Sequence, residues 1–104
     1  MINSVGSETE AVALLRRSVS RAQRDLQAGL PGRTHVNSVL ASLAAELAPG
    51  FPYLYVVADA QPLGPVATVL ADLRVAFAHA ASGHSAPAVM SVATAAASAA
   101  QLTA

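Results

Sequence analysis

The stretch PVATVLADLRVAFAHAAS, residues 65–82, carries the most regular hydrophobic pattern in the chain. Its apolar side chains recur every three or four residues, the spacing that places them on one face of an α-helix. Pro65 fits the first turn of that helix, because the N–H that proline lacks has no helical partner there. The stripe comprises Val66, Val69, Leu70, Leu73, Ala76, Phe77 and Ala80. The stretch predicts the central helix of a mainly helical fold.

Two N-terminal stretches also predict amphipathic helices. In the first, about 8–28, Ser7 can cap the helix and Glu10 can return a hydrogen bond to the Ser7 backbone. The second, about 34–48, is stopped by Pro49-Gly50. The apolar positions are Val12, Leu15, Val19, Ala22 and Leu26 in the first and Val36, Val39, Leu40, Leu43 and Leu47 in the second. Both stripes predict faces that are buried in one core.

The C-terminal stretch, about 87–102, is rich in alanine and predicts a helix with a small-residue face. That helix either packs closely on the helix at 65–82 or serves as a detachable tail that meets a partner. The packed alternative is favoured, because isolated helices seldom persist in water. With 104 residues the chain fits one domain. We therefore expect an all-α bundle of about four helices over 1–104, with a flexible N-terminus at 1–7 and the Ala-rich helix at 87–104.

Residues 51–60 do not follow the helical periodicity of the other stretches. Aromatic and aliphatic residues follow one another at 53–57 without helical spacing, which favours a strand. A lone strand would need the edge of a partner, so a short helix that begins at a proline is the alternative. The pattern predicts an extended or strand-like segment around 53–58.

The composition excludes several classes of function. The absence of Cys removes disulfides, thiolate metal sites and Cys nucleophiles. The N-terminus lacks the basic and apolar regions of a signal peptide, which predicts a cytoplasmic protein. Residues 85–104 carry no charge, but Ala, Ser and Thr dominate them, so we expect no membrane span.

Composition also predicts association with another protein. Alanine is the most frequent residue, and it buries little apolar area, so the core is thin and contact with a partner would stabilise it. A net charge of zero removes the usual barrier to association. We expect a protein partner or self-association, with a homo-oligomer favoured.

His35, Asp72 and His79 are the candidates for acid–base chemistry. Asp72 and His79 are seven residues apart and share a helix flank, and an Asp that orients a His is a common catalytic element. No nucleophile or oxyanion donor stands in a recognisable order beside them. Metal-ligand and phosphate-loop motifs are absent from the sequence. We therefore expect no catalysis, no metal and no cofactor, with a small enzyme or ligand-binding bundle that uses Asp72 and His79 as an alternative.

Arginines concentrate between residues 16 and 33. Arg17, Arg21 and Arg24 lie at helical spacing on a polar face, where contact with phosphates is conceivable. No aromatic residues are interleaved with them, and Arg21 has Asp25 four residues away as an ordinary surface pair. These observations predict a solvated or protein-contacting face, and we expect no nucleic-acid binding.

The sequence therefore favours a non-catalytic protein-interaction or assembly module, such as a small subunit or adaptor of a larger bacterial complex. Aromatic residues with a polar tip are favoured at interfaces, and a small-residue helix face can dock in a groove. The residues expected to be exposed and to contact the partner are Tyr53, Tyr55, Val57, Val89, Val92 and Ala96.

One short element gives a further alternative. Residues 55–59, YVVAD, resemble the Tyr-x-x-x-Asp/Glu element of small helical substrates of type VII secretion. The resemblance implies export as a helical protein of about this length. The chain departs from that family because it has no Trp for the Trp-x-Gly turn, and because the element lies in mid-chain rather than after a helical hairpin near the C-terminus.

Overall fold

The computed structural model describes residues 5–29 and 32–102. Five α-helices, α1 to α5 in chain order, occupy Glu8–Ala28, Arg33–Leu47, Phe51–Ala60, Pro65–Ala81 and Ser85–Ala99. A 3-10 turn, Ala48–Gly50, joins α2 to α3 without a break, so four separate helical runs make up the bundle. The described residues contain no strand. The prediction of an all-α bundle of about four helices is confirmed.

Helix α1 begins where the sequence predicts. The backbone N–H of Glu10 donates to Ser7 Oγ at 3.2 Å, which satisfies one of the free donors of the first turn. The Glu10 carboxylate accepts a hydrogen bond from the Ser7 hydroxyl at 3.3 Å, instead of the predicted bond from the Ser7 backbone. Of the predicted flexible segment 1–7, residues 1–4 lie outside the described part of the chain, while Ser7 forms the helix cap.

The strand-like segment predicted around 53–58 is wrong, because these residues lie within α3. Pro52 occupies the first turn of that helix, where no N–H is needed from it. The helix buries Leu54 completely and stacks Phe51 on Tyr55, one turn away, with ring centres 5.6 Å apart. A lone strand would leave its backbone groups unpaired, whereas a helix satisfies them within the segment.

The second α-helix ends at Leu47, beside Pro49-Gly50 as predicted, but the chain remains helical beyond that point. Pro49 lies at the start of the 3-10 turn, and the Phe51 N–H donates to the Ala48 carbonyl at its end. Gly50 is buried against α1, where a Cβ would lie 3.4 Å from Leu14. The pair therefore links two helices and permits close contact with α1, instead of ending the helical run.

Helix α4 ends in a glycine cap that reverses the chain into α5. Gly83 has a φ of 78°, in the left-handed region that glycine enters most easily. The His84 N–H donates to the His79 carbonyl at 2.8 Å, and the Gly83 N–H donates to the Ala80 carbonyl at 3.0 Å. This is the Schellman arrangement, which satisfies the last carbonyls of a helix.

The alanine-rich α5 is packed on the bundle, as the favoured alternative predicts, and is not a detachable tail. Small side chains allow its backbone to lie close to α4 and α1. Arg16 of α1 donates from Nη1 to the Leu102 carbonyl at 3.2 Å, and the Leu102 side chain is buried. The buried positions of α5 are Ala88, Val92, Ala95, Ala96 and Ala99. This helix is an integral part of the core.

The predicted stripes supply most of the core. All five apolar positions of α2 are buried, and in α4 only Phe77 and Ala80 of the stripe are partly buried. In α1 Val12 is partly buried, and Ala11 and Leu14 are buried in its place. Helices α1, α2, α4 and α5 each contact at least three other α-helices, so the core is shared among these four helices.

Candidate interaction groove

An open groove lies between the helical run of α2 and α3 on one side and α4 on the other. It consists of two adjoining concavities that share Phe77. The larger, of about 690 Å³, is lined by residues of α2 between 33 and 44 and by residues 77–83 at the end of α4. The smaller, of about 200 Å³, is lined by Phe51, Tyr55, Leu70, Leu73, Arg74 and Phe77. Together they are named the α2–α4 groove.

Tyr55 stands at the apolar end of this groove. It is 51 % exposed, and its ring stacks on Phe51 with the two planes 16° apart. The helical spacing of four residues brings these rings together, while Leu54 anchors α3 in the core from another face. A ring that is already held by its neighbour loses little conformational entropy when a partner covers it. Tyr55 is therefore suited to anchor a partner.

Two arginines give the groove positive charge. Arg74 lines the apolar concavity and Arg33 lines the larger one, and no carboxylate lines either of them. The Arg33 guanidinium lies over Gly83, where a Cβ would come within 3.1 Å of Arg33 Cζ. Among the described residues neither arginine forms a salt bridge. Both are thus available to the carboxylates of a ligand.

Three of the residues predicted to contact a partner lie on α3, and they occupy different faces. Tyr53 and Val57 are partly buried and pack against the core. Tyr55 is exposed, as expected, and its neighbour Val56 is 55 % exposed. The exposed residues Pro52, Tyr55, Val56 and Asp59 lie on one side of the helix and are named the outer face of α3.

The other three predicted residues lie on α5, and the exposure expected of two of them is wrong. Val92 is 0 % exposed and Ala96 is 6 % exposed, while Val89 is partly buried against the core. The small-residue face that the sequence assigns to a partner's groove is covered by α4 and α1 of the same chain. An apolar face covered within the fold is closed to another protein.

The candidate acid–base residues do not form a common site. Asp72 and His79 are separated by about two helical turns, roughly 10 Å along α4, and neither lines the groove. His79 lies beside His84, with ring centres 6.3 Å apart. His35 Nε2 lies 2.8 Å from the Asp25 carbonyl oxygen and lines a separate concavity between α1 and α2. One oxygen of Asp72, Oδ2, is buried without a hydrogen-bond partner in the described chain.

No group of three metal-binding side chains occurs in the part of the chain that the structure describes. The concavity that contains His35 also holds Arg21 and Asp25, which are paired with each other. It presents two serine hydroxyls, Ser38 and Ser42, without a hydrogen bond from either to His35. His35 therefore does not activate either serine hydroxyl as a nucleophile in this arrangement.

The arginines of α1 do not form a free positive row. Arg21 pairs with Asp25 on its own helix and with Glu46 on α2, where Nη2 and Oε2 lie 2.6 Å apart. It thus joins two helices, in addition to forming the surface pair that the sequence predicts. Arg17 and Arg24 are exposed. Because two carboxylates neutralise Arg21, the row of arginines that could contact successive phosphates of a nucleic acid is interrupted. The expected absence of nucleic-acid binding stays a prediction.

One helical run in the described chain, Arg33–Ala60, is long and apolar enough to cross a membrane by length and composition, and the mean hydropathy of its most apolar 18 residues is 1.3. A third of its most apolar part, 33 %, is buried in the bundle. The core helix of a soluble protein passes the same test, so this run is weak evidence of a span. The expectations of no membrane span and of a cytoplasmic location stay predictions.

Comparisons of the chain with models of protein families, with curated protein sequences and with solved structures give no match. The element that resembles type VII substrates, residues 55–59, lies on α3 and is followed by α4 and α5. Its place in the fold therefore differs from the end of a helical hairpin that the resemblance implies.

Sequence reasoning missed Arg74 and Phe77 as parts of the groove. Phe77 belongs to the apolar stripe of α4 and is therefore predicted as core, and it is in fact partly buried. Arg74 lies between Leu70 and Phe77 at spacings of four and three, which puts all three on neighbouring positions of one helix side. That spacing is a signal in the sequence, but it does not say that α3 lies opposite.

Proposed function

We propose that this chain is a non-catalytic protein-interaction or assembly module that binds another protein through the outer face of α3 and the adjoining α2–α4 groove. The observation that carries the proposal is the half-exposed Tyr55 ring, stacked on Phe51 beside an apolar concavity. Tyrosine and arginine are enriched in the parts of interfaces that contribute most binding energy. This surface combines Tyr55 with Arg74.

The charges of the molecule support the same proposal. The net charge is zero, so no long-range repulsion opposes association with a protein. The groove itself lacks carboxylates and holds Arg33 and Arg74. A partner that covers the apolar concavity and offers carboxylates at its rim would match both properties of the surface.

Site-specific photocrosslinking in the cells that produce the protein tests the proposal. A benzophenone amino acid replaces Tyr55, which keeps an aromatic ring at that position. Matched control proteins carry the same group at Leu63, which is 99 % exposed, or at Met90, which is 70 % exposed. These controls are large apolar residues outside the groove, so they report non-specific contacts.

We expect a discrete crosslinked product from position 55 that is absent from positions 63 and 90. The product should disappear when Arg74 is replaced by Asp in the same chain. Equal crosslinking at all three positions, or none at position 55, would contradict a binding role for this surface. The mass of the product also tells whether the partner is a second copy or a different protein.

A further inference from the structure

The outer face of α3 carries a single charge, at one end of the helix. Pro52, Tyr55, Val56 and Asp59 span two helical turns, and all four are exposed. Asp59 is the only carboxylate of this face and lies near the C-terminal end of the helix. It forms no salt bridge among the described residues. The face therefore consists of an apolar centre and one unpaired negative charge at its end.

Helix α4 supplies the opposite charge at the other end of α3. Arg74 lines the apolar concavity together with Phe51, the first residue of α3, and with Tyr55. It likewise forms no salt bridge among the described residues. Positive charge thus lies beside the N-terminal half of α3 and negative charge lies near its C-terminal end.

We infer that a second copy of this chain is the partner, bound with the two α3 helices antiparallel across a two-fold axis. If the axis passes between Tyr55 and Val56, residue 59 of one copy faces residue 52 of the other, because both lie 3.5 positions from the axis. Residue 52 follows Phe51 directly, so Asp59 of each copy meets the end where Arg74 of the other copy lies. The symmetry forms this ion pair twice, as an isologous interface requires.

The apolar centre of the same contact is supplied by Tyr55 and Val56, which are 51 % and 55 % exposed in one copy. Both would be covered in the antiparallel pair. A contact built on one ten-residue helix is smaller than the roughly 800 Å² per partner of a typical stable interface. The dimer is therefore weak and depends on protein concentration. This inference rests on the proposed function, since it names the partner of the same surface.

Charge reversal combined with mixing tests the inference. Sedimentation velocity over a concentration series measures the dissociation constant of the unmodified protein, of Asp59→Arg, of Arg74→Asp and of an equal mixture of the two variants. Arg17→Asp, on an exposed position of α1, is the control matched in net charge to Arg74→Asp. Circular dichroism verifies that every variant keeps the helical content of the unmodified protein.

Each single reversal replaces two attractive pairs by two repulsive ones, so it should weaken dimerisation at least tenfold, which is about 1.4 kcal/mol. In the mixture the arginine introduced at position 59 of one variant faces the aspartate introduced at position 74 of the other, and the original pair forms at the second site. The mixture should therefore regain the affinity of the unmodified protein as a heterodimer, while Arg17→Asp dimerises normally.

A protein that stays monomeric at every concentration would overturn the inference, and so would a dimer that neither reversal weakens. Failure of the mixture to recover affinity would also overturn it, because the two charges would then not face each other. A monomer that is crosslinked at position 55 to a different protein would reject self-pairing and support the proposed function. A monomer without any crosslink from that position would overturn both.

Discussion

Replacement of Gly29 by alanine tests the contact that fixes the end of α1 against α2. Gly29 has φ −102° and ψ 170°, a conformation that any residue adopts, so glycine is not needed there for its backbone freedom. It is needed for space, because a Cβ would lie 2.6 Å from Cε1 and 2.7 Å from Cδ2 of the His35 ring. The ring is held by the hydrogen bond between His35 Nε2 and the Asp25 carbonyl, at 2.8 Å.

The expected loss follows from what the ring must give up. Displacement of the ring breaks a hydrogen bond worth about 1 kcal/mol and disturbs its packing, so Gly29→Ala should lower the free energy of unfolding by about 1–3 kcal/mol. In a His35→Ala background the ring is absent, and the same alanine should be neutral or stabilise by up to about 1 kcal/mol through the unfolded state. The two substitutions should therefore couple by about 2 kcal/mol.

Urea unfolding followed by circular dichroism measures this coupling in the unmodified protein, the two single variants and the double variant. Gly32→Ala is the control, because no atom lies within 4 Å of the Cβ it would add. Gly32 is the N-cap of α2, where alanine is less favourable than glycine, so Gly32→Ala should lower the free energy of unfolding by about 0.5–1 kcal/mol. A coupling energy below about 0.5 kcal/mol would refute the steric argument, and so would a Gly32→Ala variant as unstable as Gly29→Ala.

Two further predictions concern the parts of the fold that the sequence left open. Leu54→Ala should lower the free energy of unfolding by about 2–5 kcal/mol, because Leu54 is fully buried. Val56→Ala, on the exposed face, should change it by less than about 0.5 kcal/mol. Urea unfolding measures both, and similar effects of the two substitutions would contradict the helical assignment of α3. A chain that ends at Ser85 should lose cooperative thermal unfolding and bind a hydrophobic dye, because it exposes the faces of α4 and α1 that α5 covers. A truncated chain that still unfolds cooperatively would show that α5 is dispensable for the fold.

The candidate site was only partly accessible to sequence reasoning. An aromatic residue at position 55 indicates interface chemistry, and this holds whether the segment is a strand or a helix. Its neighbours depend on that choice, because a helix pairs Phe51 with Tyr55 and buries Leu54, whereas a strand would place Tyr53 and Tyr55 on the same side. Arg74 joins the site only through the packing of α4 against α3, which no local pattern encodes.

The exposure predicted for Val92 and Ala96 of α5 is wrong for a related reason. A row of small residues has the same pattern whether it meets another subunit or the adjacent helix, since close backbone approach is favourable in both cases. The short reversal through Gly83 brings α5 back along α4, so the face that contains Val92 and Ala96 is covered within the chain. The alternatives differ in a tertiary contact rather than in any property of the segment.

The sequence by itself determined the helical class, four of the five helices and most of the core, because hydrophobic periodicity and capping residues act within one or two turns. Ser7, Pro65 and the stripe of α2 illustrate this local control. Only the tertiary structure decided that 51–60 is helical, that Val92 and Ala96 of α5 are buried, and that Tyr55 and Arg74 border one concavity. These features depend on which helix faces lie opposite each other, and the free energy of burial is shared between segments that are distant in sequence.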